Sequence, residues 1–130
     1  QGYYEEGDPA NYAPTFAREL PDGFEAKHVL HLVGIGDSFT PNGAGLALAR
    51  GLGGVFANTV GSDLPTANEV IGIDYPLSDT LGMRTVVTSL HNPNGDGHFV
   101  LFEADGLAAR RVQSFFAEWV ANGIPTVVEQ

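Results

Sequence analysis

A short apolar run in the first third of the chain limits what this sequence can fold into. Residues 28–34 are apolar apart from two histidines, and the run ends at Gly34 and Gly36. A continuous apolar run that stops at glycine is typical of a parallel strand buried on both faces. The sequence therefore predicts a strand at 28–34 in a parallel sheet, and with it a fold of the α/β class.

A helix should follow this strand. Thr40 and Pro41 resemble an N-cap and a first helical position, and Gly51 stands where a helix would end. We therefore predict a helix at 41–51, which makes a strand, loop and helix in succession.

A second strand and a second helix are predicted in the C-terminal half. Residues 84–90 are rich in β-branched side chains, and apolar residues recur at helical spacing over 107–122 before Gly123. That spacing assigns Phe115, Phe116 and Trp119 to the core. We expect the two strands to be parallel neighbours covered by the two helices, so that loops 35–41 and 91–98 open on the same edge of the sheet.

The rest of the chain is punctuated by glycine and proline. Residues 1–27 are interpreted as a lead-in segment with a short helical turn near 12–19, and 28–130 as the domain proper. Residues 52–83 are expected to run over the surface, interrupted only by short apolar stretches at 55–57 and 70–73.

Composition excludes several classes of function. Among 130 residues, 6 Lys and Arg face 16 Asp and Glu, a formal net charge of −10, which leaves little to bind a phosphate backbone or an anionic lipid surface. No apolar run is long enough to predict a membrane span. The absence of cysteine and the acidic, glycine-rich composition favour export to the bacterial cell envelope or beyond.

Two polar residues follow the predicted strands. Asp37 comes directly after the first strand, at the edge where open α/β sheets place their sites, although it could instead only close an Asx-turn. His98 follows the second strand in a glycine-rich loop, where it could also be a solvent-exposed loop histidine. No cofactor is predicted, because Phe39 stands where a dinucleotide fingerprint needs its third glycine.

These segments resemble the C-terminal part of the α/β-hydrolase superfamily, in particular large bacterial secreted or lipoprotein hydrolases of the esterase and lipase type. The similarity covers most of residues 7–128. Residues 28–41 resemble a late strand and its acid-bearing turn, and residues 97–99 with the helix at 110–122 resemble the histidine loop and last helix. The resemblance implies that Asp37 and His98 are the acid and the base of a catalytic triad, with an ester-type small molecule or lipid as substrate.

The nucleophile of such a triad is missing. It should precede Asp37 on a Gly-x-Ser-x-Gly turn, yet residues 1–36 contain neither serine nor cysteine. None of the five serines has a glycine both two residues before it and two residues after it. The chain also begins at Gln1 rather than Met. We therefore expect a fragment of a longer serine hydrolase, inactive by itself, whose incomplete sheet makes self-association through an open edge a further expectation.

Alternatives use the same residues. In a GDS-type lipase Ser38 would be the nucleophile with Asp96 and His98 as partners, but that family spaces the pair as Asp-x-x-His. A calcium loop at 92–103, ending at Glu103, matches the oxygen spacing of an EF-hand except that Asn92 opens it and a strand precedes it. The non-enzymatic alternative is a binding or structural module with a hydrolase-like sheet.

Overall fold

Three parallel strands form the centre of the protein. The computed structural model describes residues 7–57, 75–103 and 106–129. The strands are β1 (Val29–Gly34), β2 (Val55–Ala57) and β3 (Val86–His91), in the spatial order β1-β3-β2. Val29 lies opposite Val86, and Val55 lies opposite Val87. The prediction of two adjacent parallel strands is confirmed, with each boundary within two residues of its expected position.

Helices precede, connect and follow these strands. They are α1 (Pro9–Tyr12), α2 (Pro14–Ala17), α3 (Asn42–Leu52) and α4 (Leu107–Asn122), with a 3₁₀ helix at Gly97–Phe102. The predicted helices at 41–51 and 107–122 are confirmed almost residue for residue. None of the helices in the described ranges is long and apolar enough to cross a membrane.

The predicted capping residues of α3 are wrong, although each end lies within one residue of its expected position. The N-cap is Pro41, not Thr40, and no side chain caps this terminus. The helix continues through Gly51 to Leu52 and is capped by Gly53, whose φ of 71° is the left-handed conformation that glycine adopts most readily. Gly51 serves close packing instead, because a methyl group there would overlap the Cβ of Ala13.

The sheet is covered on both faces. Side chains alternate along a strand, so residues 86, 88 and 90 of β3 face one way and 87, 89 and 91 the other. Leu90 packs with Leu46 of α3, and Val87 packs with Phe115 of α4. The domain is therefore an α/β structure of three layers, with α3 and α4 on opposite faces of a small open parallel sheet.

Part of the predicted surface excursion belongs to this core. Val55–Ala57 forms strand β2, in which Phe56 and Ala57 are buried, and Leu77 is buried in an isolated antiparallel bridge with Val127. The main-chain N–H and C=O groups of a short apolar stretch can find hydrogen-bond partners on a neighbouring strand. Local sequence does not predict such a long-range pairing. The other predicted apolar stretch, 70–73, lies outside the described residues.

The lead-in segment also packs on the domain. The predicted helical turn near 12–19 corresponds to α2, and the additional helix α1 precedes it and meets it at Ala13. Ala13 has no exposed surface and lies in a cluster with Leu52 and Val86. The first part of the described chain is thus held against the C-terminal end of α3.

The aromatic side chains of α4 do not share one environment. Phe115 is 6% exposed, whereas Phe116 and Trp119 are 54% and 50% exposed, so their assignment to the core is wrong. The helical period marked an apolar stripe that is wider than the described sheet can cover. With Phe16 and Leu30, the exposed rings line a groove of about 720 Å³ beside β1.

Beneath α4 lies a buried polar chain that begins at Arg111. The guanidinium, with no exposed surface, donates to the Ser89 hydroxyl at 2.6 Å and to the carbonyl of Val128 at 2.9 Å. Since a guanidinium can only donate, the Ser89 hydroxyl directs its own hydrogen to Nε2 of His91, 2.6 Å away. Burial, and then the charge of Arg111, lower the pKa of His91 to about 4.

The buried hydrogen bonds from Arg111 through Ser89 to His91 predict a loss of stability in mild acid. His91 is neutral in the folded protein but binds a proton below about pH 6.5 when unfolded. The contribution of neutral His91 to the unfolding free energy is fully present above about pH 6.5 and is lost as the pH falls towards 4. The difference between the two pKa values sets an upper limit of about 3 kcal/mol on the change in unfolding free energy. Denaturant titrations at several pH values measure it.

His91→Gln is the matched variant, because glutamine keeps an acceptor for Ser89 without titrating. Burial also lowers the pKa values of His31 and His28. The unfolding free energy of the variant should therefore still fall with decreasing pH, but less steeply than that of the parent. The same pH dependence of the unfolding free energy in parent and variant would show that His91 does not cause the loss of stability.

Candidate active site

The site is built where β1 and the 3₁₀ helix touch through their main chains. A methyl group on Gly34, the last residue of β1, would overlap the carbonyl oxygen of Gly97, and one on Gly97 would overlap the main chain of Gly34 and Ile35. Neither glycine has a positive φ. Gly97 therefore serves a close approach of two backbones and not a turn that needs a positive φ.

Asn42 fixes the turn that leaves β1. Its side-chain amide donates to the Gly34 carbonyl at 2.8 Å and accepts from the Gly36 amide at 3.1 Å. Sequence reasoning missed this residue, although an asparagine at the start of a helix beside a glycine-rich turn is a recognised signal of such bonds. Asn42 thereby sets the direction in which Asp37 emerges.

Asp37 is held in a defined orientation. Its Oδ1 accepts from the amides of Phe39 and Thr40, both at 2.8 Å, so the Asx-turn interpretation is also correct. These bonds, led by that of Thr40 and assisted by the neighbouring His98, hold the pKa of the Asp37 carboxyl below its usual value. The group is therefore a carboxylate at neutral pH.

His98 lies directly beside this carboxylate. Its Nδ1 is 3.3 Å from each of the two carboxylate oxygens of Asp37. The side chain of His98 is 43% exposed and that of Asp37 is 15% exposed. A carboxylate facing Nδ1 favours the tautomer that carries hydrogen there, which leaves Nε2 able to accept a proton. The two residues predicted as acid and base are thus brought together by the fold.

Aromatic rings pack against the imidazole. The ring centroids of Phe39 and Phe99 lie 4.5 Å and 5.1 Å from that of His98, yet the two phenylalanines are 68% and 51% exposed. A cavity of about 300 Å³, lined by His31 and Asn42 among others, opens beside Asp37 and His98. The cavity is at the lower end of the size range of ligand sites.

Asp96 joins the two loops. Its Oδ1 accepts from the amide of His98 at 2.9 Å and from that of Ser38 at 3.1 Å, and its Oδ2 accepts from the Ser38 hydroxyl. The hydroxyl bond, followed by the two amide bonds, lowers the pKa of Asp96. Asp96 and Ser38 therefore connect the turn after β1 to the loop after β3.

These contacts bear on the two alternative sites. The Ser38 hydroxyl is directed at Asp96 and not at the imidazole of His98, which is the base a GDS-type lipase would need beside it. The loop at 92–103 is entered by strand β3 and continues into a 3₁₀ helix, whereas an EF-hand loop lies between two α-helices. Within the described ranges, no cluster of three His, Asp or Glu side chains could hold a metal ion.

Fold and site together define a small α/β domain with an aspartate and a histidine in contact at the carboxyl edge of its parallel sheet. No protein-family model, curated protein or solved structure matches the chain. The site must therefore be interpreted from its own geometry.

The glycine contact gives a test of how the site is assembled. Gly97→Ala and Gly34→Ala should each lower the unfolding free energy by about 1–3 kcal/mol, because the added methyl group forces two backbones apart. Each change should also weaken the contact between Asp37 and His98. Denaturant unfolding and NMR spectra of the histidine side chains measure the two effects.

Gly95→Ala is the matched control. Gly95 lies two residues from Gly97, has no positive φ and has open space around the position of a Cβ atom. Its substitution should change stability by no more than about 0.5 kcal/mol. Equal effects of Gly95→Ala and Gly97→Ala would contradict the close-contact explanation.

Proposed function

We propose that Asp37 and His98 are the acid and the base of a serine hydrolase that acts on carboxylic esters. The proposal is carried by one observation, the contact of Nδ1 of His98 with the Asp37 carboxylate at the carboxyl ends of neighbouring parallel strands. The acid precedes the histidine in the chain, as in the resemblance described above. The function is therefore proposed for the polypeptide that contains this chain.

Each residue has a definite role in this proposal. Asp37 holds the imidazole and stabilises the imidazolium that forms when His98 takes the serine proton. The bonds from Phe39 and Thr40 to Asp37 keep its carboxylate charged and oriented, so little reorganisation is needed during the reaction. The 3.3 Å separation is slightly long for a hydrogen bond, which is common in sites without bound substrate.

Three of the four described serines are hydrogen-bonded to groups other than His98. Ser38 donates to Asp96, Ser89 is buried between Arg111 and His91, and Ser114 donates to a carbonyl of its own helix. Ser78 lies outside both loops, and Ser62 lies outside the described residues. In the triad order of the resemblance the nucleophile precedes the acid, so the proposal assigns the serine and the donors that stabilise the oxyanion to a preceding part of the same hydrolase.

Two surface features support this assignment. Among the described residues, β1 pairs with β3 on one side and has no strand on the other. The groove formed by Phe116, Trp119 and Phe16 also borders Val29 and Leu30 at the start of β1. An open strand edge next to an exposed apolar groove is suited to a further parallel strand with its covering chain. That strand would end beside Asp37, where the nucleophile is required.

The proposal predicts a large loss of activity in two variants. Asp37→Asn and His98→Ala, made in the longer polypeptide, should each lower kcat for a p-nitrophenyl ester by about 10⁴-fold, since the serine proton is then no longer accepted by an oriented base. Stability should change little, because both side chains lie at the rim of the domain.

Asp22→Asn, a change at an exposed aspartate before β1, is the control and should keep the parent activity. Labelling with a fluorophosphonate should modify the longer polypeptide and leave residues 1–130 alone unmodified. Activity within about tenfold of the parent for Asp37→Asn or His98→Ala would exclude that residue from the relay.

A further inference from the structure

One carboxylate contacts both halves of the candidate site. Asp96 accepts a bond from the amide of His98 at 2.9 Å and two bonds from Ser38, the residue that follows Asp37. The main chains that carry the proposed acid and base are therefore attached to the same side-chain group. The close contact of Gly34 and Gly97 joins the same two loops at their base.

Capping the 3₁₀ helix does not account for all of these bonds. As N-cap residue, Asp96 needs only the bond from the His98 amide to Oδ1. The bond from the Ser38 hydroxyl engages the other oxygen, Oδ2, and crosses from one loop to the other. It adds nothing to the cap, but it restrains the distance between the two loops.

The position of the imidazole depends on that distance. Nδ1 of His98 is 3.3 Å from the Asp37 carboxylate, so a displacement of one loop by a further fraction of an ångström would break the contact. Ser38 and Phe39 are exposed, and the core beneath the loops does not enclose them. Above the contact of Gly34 with Gly97, the restraint comes from the packing of Phe39 on His98 and from the polar bonds of Asp96.

We propose that Asp96, acting through Ser38, is the positioning residue that keeps His98 in contact with Asp37 and so fixes the tautomer of the imidazole. This role rests on the proposed function, in which Nε2 must be free to accept the serine proton. Asp96 and Ser38 touch no reacting atom in this proposal. Their effect is exerted through the geometry of the acid and the base.

The test is made on residues 1–130 and does not require catalysis. Nitrogen-15 NMR at alkaline pH reports which ring nitrogen of His98 carries hydrogen. The parent should show hydrogen on Nδ1. In Ser38→Ala the ratio of the Nδ1–H to the Nε2–H tautomer should fall about three- to tenfold, the shift expected for losing one hydrogen bond of ordinary strength.

Further variants separate positioning from folding. Ser38→Ala leaves the cap of the 3₁₀ helix intact, and Ser38→Thr keeps the hydroxyl and should restore the parent ratio. Asp96→Asn should shift the ratio in the same direction as Ser38→Ala. Ser78→Ala, at an exposed serine outside both loops, should have no effect.

The outcomes distinguish the two proposals. A parent ratio that persists in both Ser38→Ala and Asp96→Asn overturns the positioning role while leaving the pair of Asp37 and His98 intact. A parent protein in which hydrogen resides mainly on Nε2 contradicts the pair itself, and the proposed function with it. A shift in Ser38→Ala that Ser38→Thr reverses supports positioning by the Ser38 hydroxyl.

Discussion

The close approach of Gly34 to Gly97 is the constraint on which the site depends. Parallel pairing of β1 with β3 brings the ends of both strands to one edge, but pairing alone leaves the following loops free to diverge. The two glycines let the main chains touch, so Asp37, shortly after Gly34, and His98, next to Gly97, become neighbours. A short-range steric requirement thus determines a contact between residues 61 positions apart in the sequence.

Polar groups divide into two kinds in this fold. Arg111, Ser89 and His91 form a buried chain in which each group satisfies the next, and this chain joins α4 to β3. Asp37, Asp96 and His98 lie at the exposed rim, where their bonds orient side chains without filling a core. The pKa of Asp37 is lowered chiefly by the main-chain amide of Thr40, and that of Asp96 chiefly by the Ser38 hydroxyl. Burial is thus the main influence on His91, and hydrogen bonding is the main influence on the aspartates.

Local pattern predicted the fold class and most elements, and it failed where packing across the chain decided the outcome. The continuous apolar run of β1 and the helical spacing of α4 are strong local signals. By contrast, Val55–Ala57 became a strand only because β3 offered an edge, and Gly51 stayed helical because Ala13 packs against it. The exposed rings of Phe116 and Trp119 show that periodicity identifies an apolar face but not how much of it the sheet covers.

By itself the sequence determined an acidic α/β domain with one aspartate and one histidine placed after two strands. The sequence indicated these two as site residues by their positions after the strands, because the carboxyl ends of parallel strands share one edge of the sheet. Only the tertiary structure decided that Nδ1 of His98 faces Asp37, that Asp96 binds Ser38 and that the Ser38 hydroxyl is turned away from the imidazole. Those choices depend on distances of a few ångströms between separate loops, and the spacing of residues in a sequence does not contain such distances.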